Sequence, residues 1–450
     1  MEVELVSEVR PLRRPAARPR LTGLAQSESV VSRSHTQERP DAVRLAARDP
    51  SLTMLDESVL RSIASLVDPL GILSVYVGTY PEEEAGSPSI PELEVRHGLE
   101  AIERQIEAGG DTPRAEALAA RLADLRPDLD LLLSPRESGR GRALFAGLSG
   151  GDAIRVAVRL PFDTHVTLAE RARVRPLARA LEAGRPAGLA LVSDEGLRLL
   201  EWRLGEVEEL RAVPFVEAGE ERRELRGPAY AHPKATPHAA PGFRTGQQRD
   251  LFERRTEEEL GRFLAAGAPD VQVLARARGW EDIVVAGDDR LTEPFAHRLL
   301  DPGGPEVTVD RRMLGWLPFA ELAEATAPLL DEVRTDRALT LFRRVREEAL
   351  GGGRGALGLG DTLAALAQGR VERLILPAEG ELSGASAPDG TLLPAGETPP
   401  GFSPEDLRLE PSLAERMIER ALQTGASLTL LVGRAEEALG QAEAAALLRW

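Results

Sequence analysis

The sequence predicts a protein of the α/β and α+β classes, with three domains that follow an N-terminal tail. Its 450 residues are a length typical of two to three domains of roughly 100–200 residues each. Short apolar segments with strand spacing alternate with longer segments that have the spacing of helices. A glycine-rich stretch, residues 351–360, separates the last part of the chain from the rest.

The tail is predicted over residues 1–51, which are rich in arginine, proline and serine and have no sustained apolar period. The first domain is predicted over residues 52–187. Its first strand, residues 72–77, is mostly apolar and bounded by two glycines, as expected of a buried strand. The other predicted elements are helices at 56–66, 91–105 and 113–125 and strands at 143–146 and 153–159.

The second domain is predicted over residues 188–350. Its first two strands, 189–192 and 197–202, flank Asp-Glu-Gly at 194–196, which indicates a hairpin. The pattern continues with strands at 206–212, 282–286 and 306–310 and helices at 247–264 and 319–350, with Gly267 as the expected end of the first helix.

The third domain is predicted over residues 351–450 as an α/β unit. The apolar pattern gives helices at 362–367, 412–423 and 435–448 and strands at 371–376 and 427–432. The proline-rich residues 378–410 are expected to form a mobile surface loop. Gly353-x-Gly355-x-x-Gly358 follows a helical pattern rather than a strand, which favours a flexible linker over a dinucleotide site.

Composition excludes several classes of protein. The chain has no cysteine, so disulfides and thiolate metal sites are excluded. No apolar run approaches the roughly 18–20 residues that span a bilayer, and the N-terminus has no apolar signal core, so we expect a cytoplasmic protein without a membrane partner. Its net charge of −17 disfavours DNA binding and restricts any RNA contact to a local surface.

Neither a metal nor a cofactor is expected. Of six histidines only His232 and His238 lie close together, and their spacing is not one that binds metal. Asp288, after a buried strand, is more simply a helix N-cap than a cation ligand. The chain has no Walker A sequence and no Gly-x-Ser-x-Gly elbow.

One segment differs in character from the rest of the chain. Residues 227–249 contain no Asp or Glu, although 73 of the 450 residues are acidic. The segment contains Lys234, Arg244 and Arg249, and four prolines and three glycines disfavour regular structure. It ends in Arg-Thr-Gly-Gln-Gln-Arg and passes directly into a helix. A cationic loop of this kind suits delivery of a polar group to an anionic partner, and the alternative is an inert surface insertion.

The Gly-Gln pair before an arginine-rich helix resembles the Gly-Gly-Gln loop of archaeo-eukaryotic class I peptide-chain release factors, and especially that of their bacterial Vms-like relatives. Further segments resemble the first strand of the first domain, the opening strands of an RNase H-like central domain, and a Pelota-like C-terminal α/β domain. They read GILSVYVGTY (71–80), GLALVSDEGLRLLEWRLGEVEEL (188–210), GDTLAALAQGRVERLIL (360–376) and GASLTLLVGRAEEALGQAEAAALLRW (425–450).

The resemblance implies a chemistry for this segment. In these families a glutamine enters the large ribosomal subunit and helps water attack the ester of peptidyl-tRNA. Gln247 corresponds to that glutamine if Gly246 is the second glycine, and Thr245 then replaces the first. In a shifted register Gln248 is the active residue, since residues 243–249 also resemble a Phe-x-Gln-Gln-Arg ending. Lys234, Arg244 and Arg249 would contact RNA phosphates, or else would serve solubility alone.

The resemblance therefore implies partners and a role. The expected partners are the large ribosomal subunit and peptidyl-tRNA. The first domain has no identifiable motif that reads stop codons, so ribosome rescue or quality control fits better than ordinary termination. A non-catalytic ribosome- or tRNA-binding factor of the same fold is the alternative, and a stress-related protein without an RNA partner is a third reading.

Overall fold

The computed structural model describes residues 53–79, 89–215 and 244–450, and of residues 244–257 it describes the backbone. The predicted tail, most of the acid-free segment and Lys234 lie outside these ranges. Among the helices in the described ranges, none is both long enough and apolar enough to cross a bilayer.

The first sheet has the strand order β1-β4-β3-β2-β5 and is covered by helices on both faces. On one face Leu73 and Val75 pack against two long helices, and on the other Tyr76 packs against two short ones. Because both faces are buried, β2 is apolar along most of its length, as its sequence predicted. The elements are β1 (Thr53–Met54), α1 (Glu57–Ala64), β2 (Val67–Gly78), α2 (Ile90–Gly109), α3 (Thr112–Leu133), β3 (Gly141–Gly147), β4 (Ile154–Val158), β5 (His165–Arg171) and α4 (Arg175–Ala183).

The central sheet has the order β10-β9-β6-β7-β8. β6, β7 and β8 form an antiparallel meander, while β9 and β10 run parallel to β6. The central sheet is therefore mixed, with three antiparallel strands followed by two parallel ones. The elements are β6 (Ala187–Ser193), β7 (Gly196–Arg203), β8 (Glu206–Pro214), α5 (Arg244–Arg278), β9 (Asp282–Gly287), α6 (Asp289–Leu299), β10 (Glu306–Asp310) and α7 (Phe319–Leu350).

The third sheet has the order β11-β17-β12-β16, and a small antiparallel sheet, β14-β13-β15, lies beside it. β12 pairs with β16 in parallel and with β17 antiparallel, so the third sheet is mixed. The elements are β11 (Gly355–Leu357), α8 (Leu359–Ala367), β12 (Val371–Pro377), β13 (Gly384–Ser386), β14 (Leu392–Pro394), β15 (Arg408–Glu410), α9 (Leu413–Gln423), β16 (Ser427–Leu431), α10 (Arg434–Leu439) and β17 (Ala445–Leu448).

Helix α7 joins the central and third sheets. Leu322 and Leu330, in its first half, pack on the central sheet. Phe342 and Val345, in its second half, are buried against the third sheet. One helix therefore contributes to two cores, and the two sheets share a rigid connection.

The predicted mixed α/β and α+β class is confirmed, and most predicted elements are present. In residues 351–450 three predictions were wrong. The glycine-rich stretch is not a free linker, because Gly355–Leu357 pairs with β17. The expected loop at 378–410 contains the small sheet. The expected last helix, 435–448, ends at Leu439, and Ala445–Leu448 forms a strand. Its alanines fit a buried strand between β11 and β12 as well as they fit a helix.

We expect Gly355→Ala to destabilise the junction between α7 and the third sheet. A Cβ at Gly355 would lie 2.4 Å from Val345 O and 2.5 Å from Ala349 N. Overpacking against rigid backbone of this kind costs about 1–3 kcal/mol of the free energy of unfolding. Denaturant unfolding monitored by circular dichroism measures the loss.

Gly360→Ala is the matched control for Gly355→Ala. Its Cβ would meet Pro394 Cγ at 3.8 Å, an ordinary contact, and alanine is the better helix former. Equal stability of the two variants would contradict the close approach at Gly355.

Candidate functional site

The Gly-Gln segment lies at the start of a long helix. α5 begins at Arg244, so Gly246 and Gln247 are in its first turn and Gln248 and Arg249 follow directly. The sequence placed Gly246 in a loop and the helix start at Gln247, and this boundary was wrong by one turn. Since no proline occurs between Pro241 and Pro269, nothing in the sequence blocks helical hydrogen bonding there.

The second half of α5 is anchored to the central sheet. Leu264, Ala268, Val271 and Ala275 are spaced by three or four residues and are buried against β6, β7 and β9. The helix also continues through Gly267, which was the predicted stop, because its apolar stripe continues to Ala275. This buried stripe fixes the direction of the helix axis.

The described side chains of α5 contact the sheet from Leu260 onward, since Leu260 is buried in the same core. A Cβ at Gly267 would lie 3.1 Å from Leu197 Cδ2, at the start of β7. The ring of Phe263 lies 5.5 Å from the ring of Phe215, which follows β8. Both contacts lie at the edge where the parallel strands β6 and β9 end. At 1.5 Å per residue, Gln247 lies about 30 Å along the helix axis from Gly267.

The start of α5 is an electropositive position. Its first turn has no acidic residue, and the first four backbone N–H groups of a helix have no acceptor within it. The helix dipole adds a partial positive charge at this end. Arg244 and Arg249 belong to the same two turns, so the backbone brings these predicted cations beside Gly246, Gln247 and Gln248.

Gln247 and Gln248 are consecutive helical positions, about 100° apart around the axis. The two side chains therefore leave the helix in different directions, and one partner cannot meet both amides in the same orientation. The two alignments with the Gly-Gly-Gln loop, one with Gln247 and one with Gln248 as the active residue, thus predict different geometries. Both remain predictions. In the described ranges no group of three or more His, Asp or Glu side chains is arranged to bind a metal ion.

Two of the buried charged residues in the described ranges, Glu415 and Arg175, lie where the first and third sheets meet. Glu415 in α9 accepts hydrogen bonds from the backbone N–H groups of Val174 (2.8 Å) and Arg175 (3.1 Å), at the start of α4. Burial raises the pKa of Glu415, and the neighbouring Arg175 guanidinium opposes this shift. Arg175 donates to the carbonyls of Glu379 and Gly380.

Glu182, at the other end of α4, meets an edge strand of the third sheet. Its carboxylate accepts a hydrogen bond from the backbone N–H of Leu430 in β16. The residue keeps some exposed surface, but its carboxyl group is enclosed between the two units. Burial raises the pKa of Glu182 to about 7. Sequence reasoning missed Glu182 and Glu415 because nothing distinguishes them among 73 acidic residues.

Sequence reasoning also missed an exposed loop between β10 and α7. Met313, Trp316 and Phe319 are 57%, 76% and 44% exposed there. The segment reads Arg-Arg-Met-Leu-Gly-Trp-Leu-Pro-Phe-Ala from residue 311 to residue 320 and has no acidic residue. This mixture of arginine and aromatic residues was the signal that could have identified it.

Comparisons with known proteins bear on the central part of the chain. Residues 173–326, about a third of the chain, match the model of bacterial archaeo-eukaryotic release factor family 10. The match includes Gly246, Gln247 and Gln248, and it confirms the resemblance to this group over that segment. A search of curated proteins found no match.

Solved structures match the chain at low sequence identity and low TM-score. The archaeal translation termination factor aRF1 is 16% identical, with a TM-score of 0.22, over 88% of this chain and 99% of that one. Archaeoglobus fulgidus Pelota is 13% identical, with a TM-score of 0.30, over 69% and 79%. S. cerevisiae Dom34 is 9% identical, with a TM-score of 0.34, over 66% and 72%.

We expect the stability of the contact between the first and third sheets to fall as pH rises toward 8. Because the pKa of Glu182 is about 7 in the folded protein and 4.5 is its ordinary value, the folded state holds a proton that the unfolded state has released. Its stabilising effect is complete below about pH 4.5 and is lost as pH passes 7, a change of about 3 kcal/mol.

Glu182→Gln removes this titration and keeps a hydrogen-bonding side chain. Thermal unfolding from about pH 5 to pH 8 should show the wild-type midpoint falling relative to that of the variant. Glu372→Gln, at an exposed position on β12, is the control. A constant difference between wild type and Glu182→Gln over this range would contradict the assignment.

Proposed function

We propose that this protein is a release-factor-like peptidyl-tRNA ester hydrolase that acts at the large ribosomal subunit. The observation that carries the proposal is the placement of Gly246 and Gln247 at the electropositive start of a 35-residue helix whose other half is anchored in the central sheet. The match of residues 173–326 to the bacterial archaeo-eukaryotic release factor model supports it.

The chemistry suits a glutamine. An amide does not titrate near neutral pH, so it does not act as a general base in the manner of histidine. Its carbonyl can hold the attacking water, and its N–H groups can donate to the oxygen that becomes negative as the ester is attacked. Glycine at 246 allows the RNA end to approach the backbone closely, because it has no Cβ.

The cations have a separate role in the proposal. Arg244 and Arg249, with Lys234 upstream, would bind backbone phosphates of RNA and so hold the helix start in place. Such contacts position the protein without reading sequence. An acid-free segment in a chain of net charge −17 keeps this end of the helix attractive to RNA while the remaining surface is repelled.

The biological setting that fits best is rescue of stalled large subunits or ribosome quality control. Residues 52–187 contain no motif that we can identify as reading a stop codon. A hydrolase without codon recognition would act on peptidyl-tRNA that is already held on a stalled large subunit. A cytoplasmic location follows from this role.

Thr245 favours a second candidate function, a ribosome- or tRNA-binding factor that does not hydrolyse. The resemblance calls for glycine at this position, and threonine adds a branched side chain one residue before Gly246. A factor of this kind would retain the RNA contacts and lack the release of peptide.

We expect Gln247→Ala to reduce peptide release by about 100-fold, the loss typical of removing one group that stabilises a developing oxyanion. The measurement uses isolated large subunits loaded with labelled peptidyl-tRNA and follows the release of the labelled peptide. Gln248→Ala should reduce release by less than Gln247→Ala if Gln247 is the active residue, and by more in the shifted register.

Gln272→Ala is the matched control, since Gln272 lies on the same helix in its anchored half. Binding to large subunits, measured by co-sedimentation, should be equal in all variants. Release that survives the double change Gln247→Ala/Gln248→Ala would sink the catalytic assignment. Binding without release by the wild-type protein would favour the second candidate function.

A further inference from the structure

The loop between β10 and α7, residues 311–318, together with Phe319 at the start of α7, forms an exposed surface with an unusual composition. We call it the Trp316 surface. Met313, Trp316 and Phe319 are largely exposed although each is apolar. A cluster of this kind in a soluble chain normally has a partner, because exposing it to water costs free energy. Neither the proposed hydrolysis nor the packing of the three sheets uses it.

The Trp316 surface is held in place by its neighbours. Leu314 is 4% exposed and packs, with Leu317, in the core between the central sheet and α7. Arg198 Nη1 donates to the carbonyl of Gly315 at 2.7 Å, and Leu317 N donates to Leu314 O at 3.1 Å. The apolar side chains are thus presented on an anchored turn, which limits the entropy lost on binding.

Charge favours RNA over a protein partner. Arg311 and Arg312, whose side chains are 60% and 49% exposed, begin the loop. They pair with Glu293 and Asp310, which lie outside it, and residues 311–320 contribute no carboxylate of their own. An exposed indole beside guanidinium groups is the combination that stacks unpaired bases and attracts the phosphates between them.

Position supports the same conclusion. The loop follows β10, so it lies at the edge where β6, β9 and β10 end, and the bond from Arg198, two residues after β7 begins, links it to that edge. α5 leaves the sheet at this edge as well, on the opposite face. RNA that extends from the start of α5 back to this edge of the sheet would therefore also face the Trp316 surface.

We propose that the Trp316 surface is a second RNA contact, in which an unpaired base stacks on Trp316 and the adjacent phosphates meet Arg311. The inference rests on the proposed function in placing RNA at this edge of the central sheet. It goes further by assigning a binding role to residues remote from the Gly-Gln segment.

The test measures binding of a fluorescein-labelled, unpaired RNA dodecamer to the full chain at low ionic strength, by fluorescence anisotropy. The wild-type protein should bind it. Trp316→Ala should weaken binding by about 10-fold or more, the loss expected when a stacked base loses its platform. Trp316→Phe should keep most of the affinity because a ring remains. Trp450→Ala, which removes an exposed tryptophan of the third unit, should bind as the wild type does.

Four results would overturn the inference. The first is equal binding of the unpaired RNA by the wild-type protein and by Trp316→Ala. The second is binding of a fully paired RNA that depends on Trp316 as strongly as binding of the unpaired RNA does. The third is a wild-type dimer in size-exclusion chromatography that Trp316→Ala converts to a monomer. The last result would assign the surface to a second copy of the chain. No binding by the wild-type protein would also refute it.

Failure of the proposed hydrolysis gives a different pattern. If only the proposed function fails, RNA binding still depends on Trp316, while the wild-type protein releases no peptide or releases it independently of Gln247 and Gln248. If only the inference about the Trp316 surface fails, peptide release still depends on Gln247 or Gln248, and RNA binding is unchanged by Trp316→Ala. If both hold, Trp316→Ala raises the protein concentration needed for half-maximal release.

Discussion

The anchoring of α5 is the constraint on which the proposed site depends. A helix is a stiff rod, and its direction is set where it is packed. Here the packed part is the stripe from Leu260 to Ala275, which shares a core with Ile283 and Val285 of β9. Burial of these side chains contributes far more free energy than the intrinsic helix propensity of the sequence. The position of Gly246 and Gln247 is therefore determined by apolar contacts that begin at Leu260, about 20 Å away along the helix.

Holding the three sheets together requires a different kind of contact. α7 connects the central and third sheets through one continuous helix with two buried faces. The first and third sheets are joined by an apolar cluster that includes Ile63 and Met417, and by the buried Glu415 and Arg175, which are 6% and 2% exposed. Such a pair is costly to desolvate, and its value lies in specifying one relative arrangement of the two units. The rigid body that results gives α5 a fixed base.

The sequence predicted the regular elements well wherever one pattern was sustained. The strand at 306–310 and the helix at 319–350 match the structure because their apolar periods are long and unbroken. It failed where local sequence permits two conformations. Ala445–Leu448 fits a helix by propensity and becomes a strand because β11 and β12 provide hydrogen-bonding partners on both sides.

The candidate site could be predicted from composition alone, because the absence of acidic residues from a segment is visible in the sequence without a structure. The Trp316 surface and Glu182 were not found, because exposure and enclosure are properties of the fold.

The two unusual surfaces of the central sheet differ in how they would engage RNA. The start of α5 offers charge and small residues, so it suits a narrow space in which backbone approach and amide geometry matter. The Trp316 surface offers area and an aromatic face, so it suits an unpaired base at the mouth of such a space. α5 leaves the sheet at the edge that carries the Trp316 surface, on the opposite face, and the sheet between them is rigid. A partner that bound both surfaces would fix how α5 is turned about its axis relative to the ester, as well as how far its start extends toward the ester. That rotation is what distinguishes Gln247 from Gln248, because consecutive residues on a helix point about 100° apart. A second contact away from the helix start would thus determine which of two adjacent amides meets the ester.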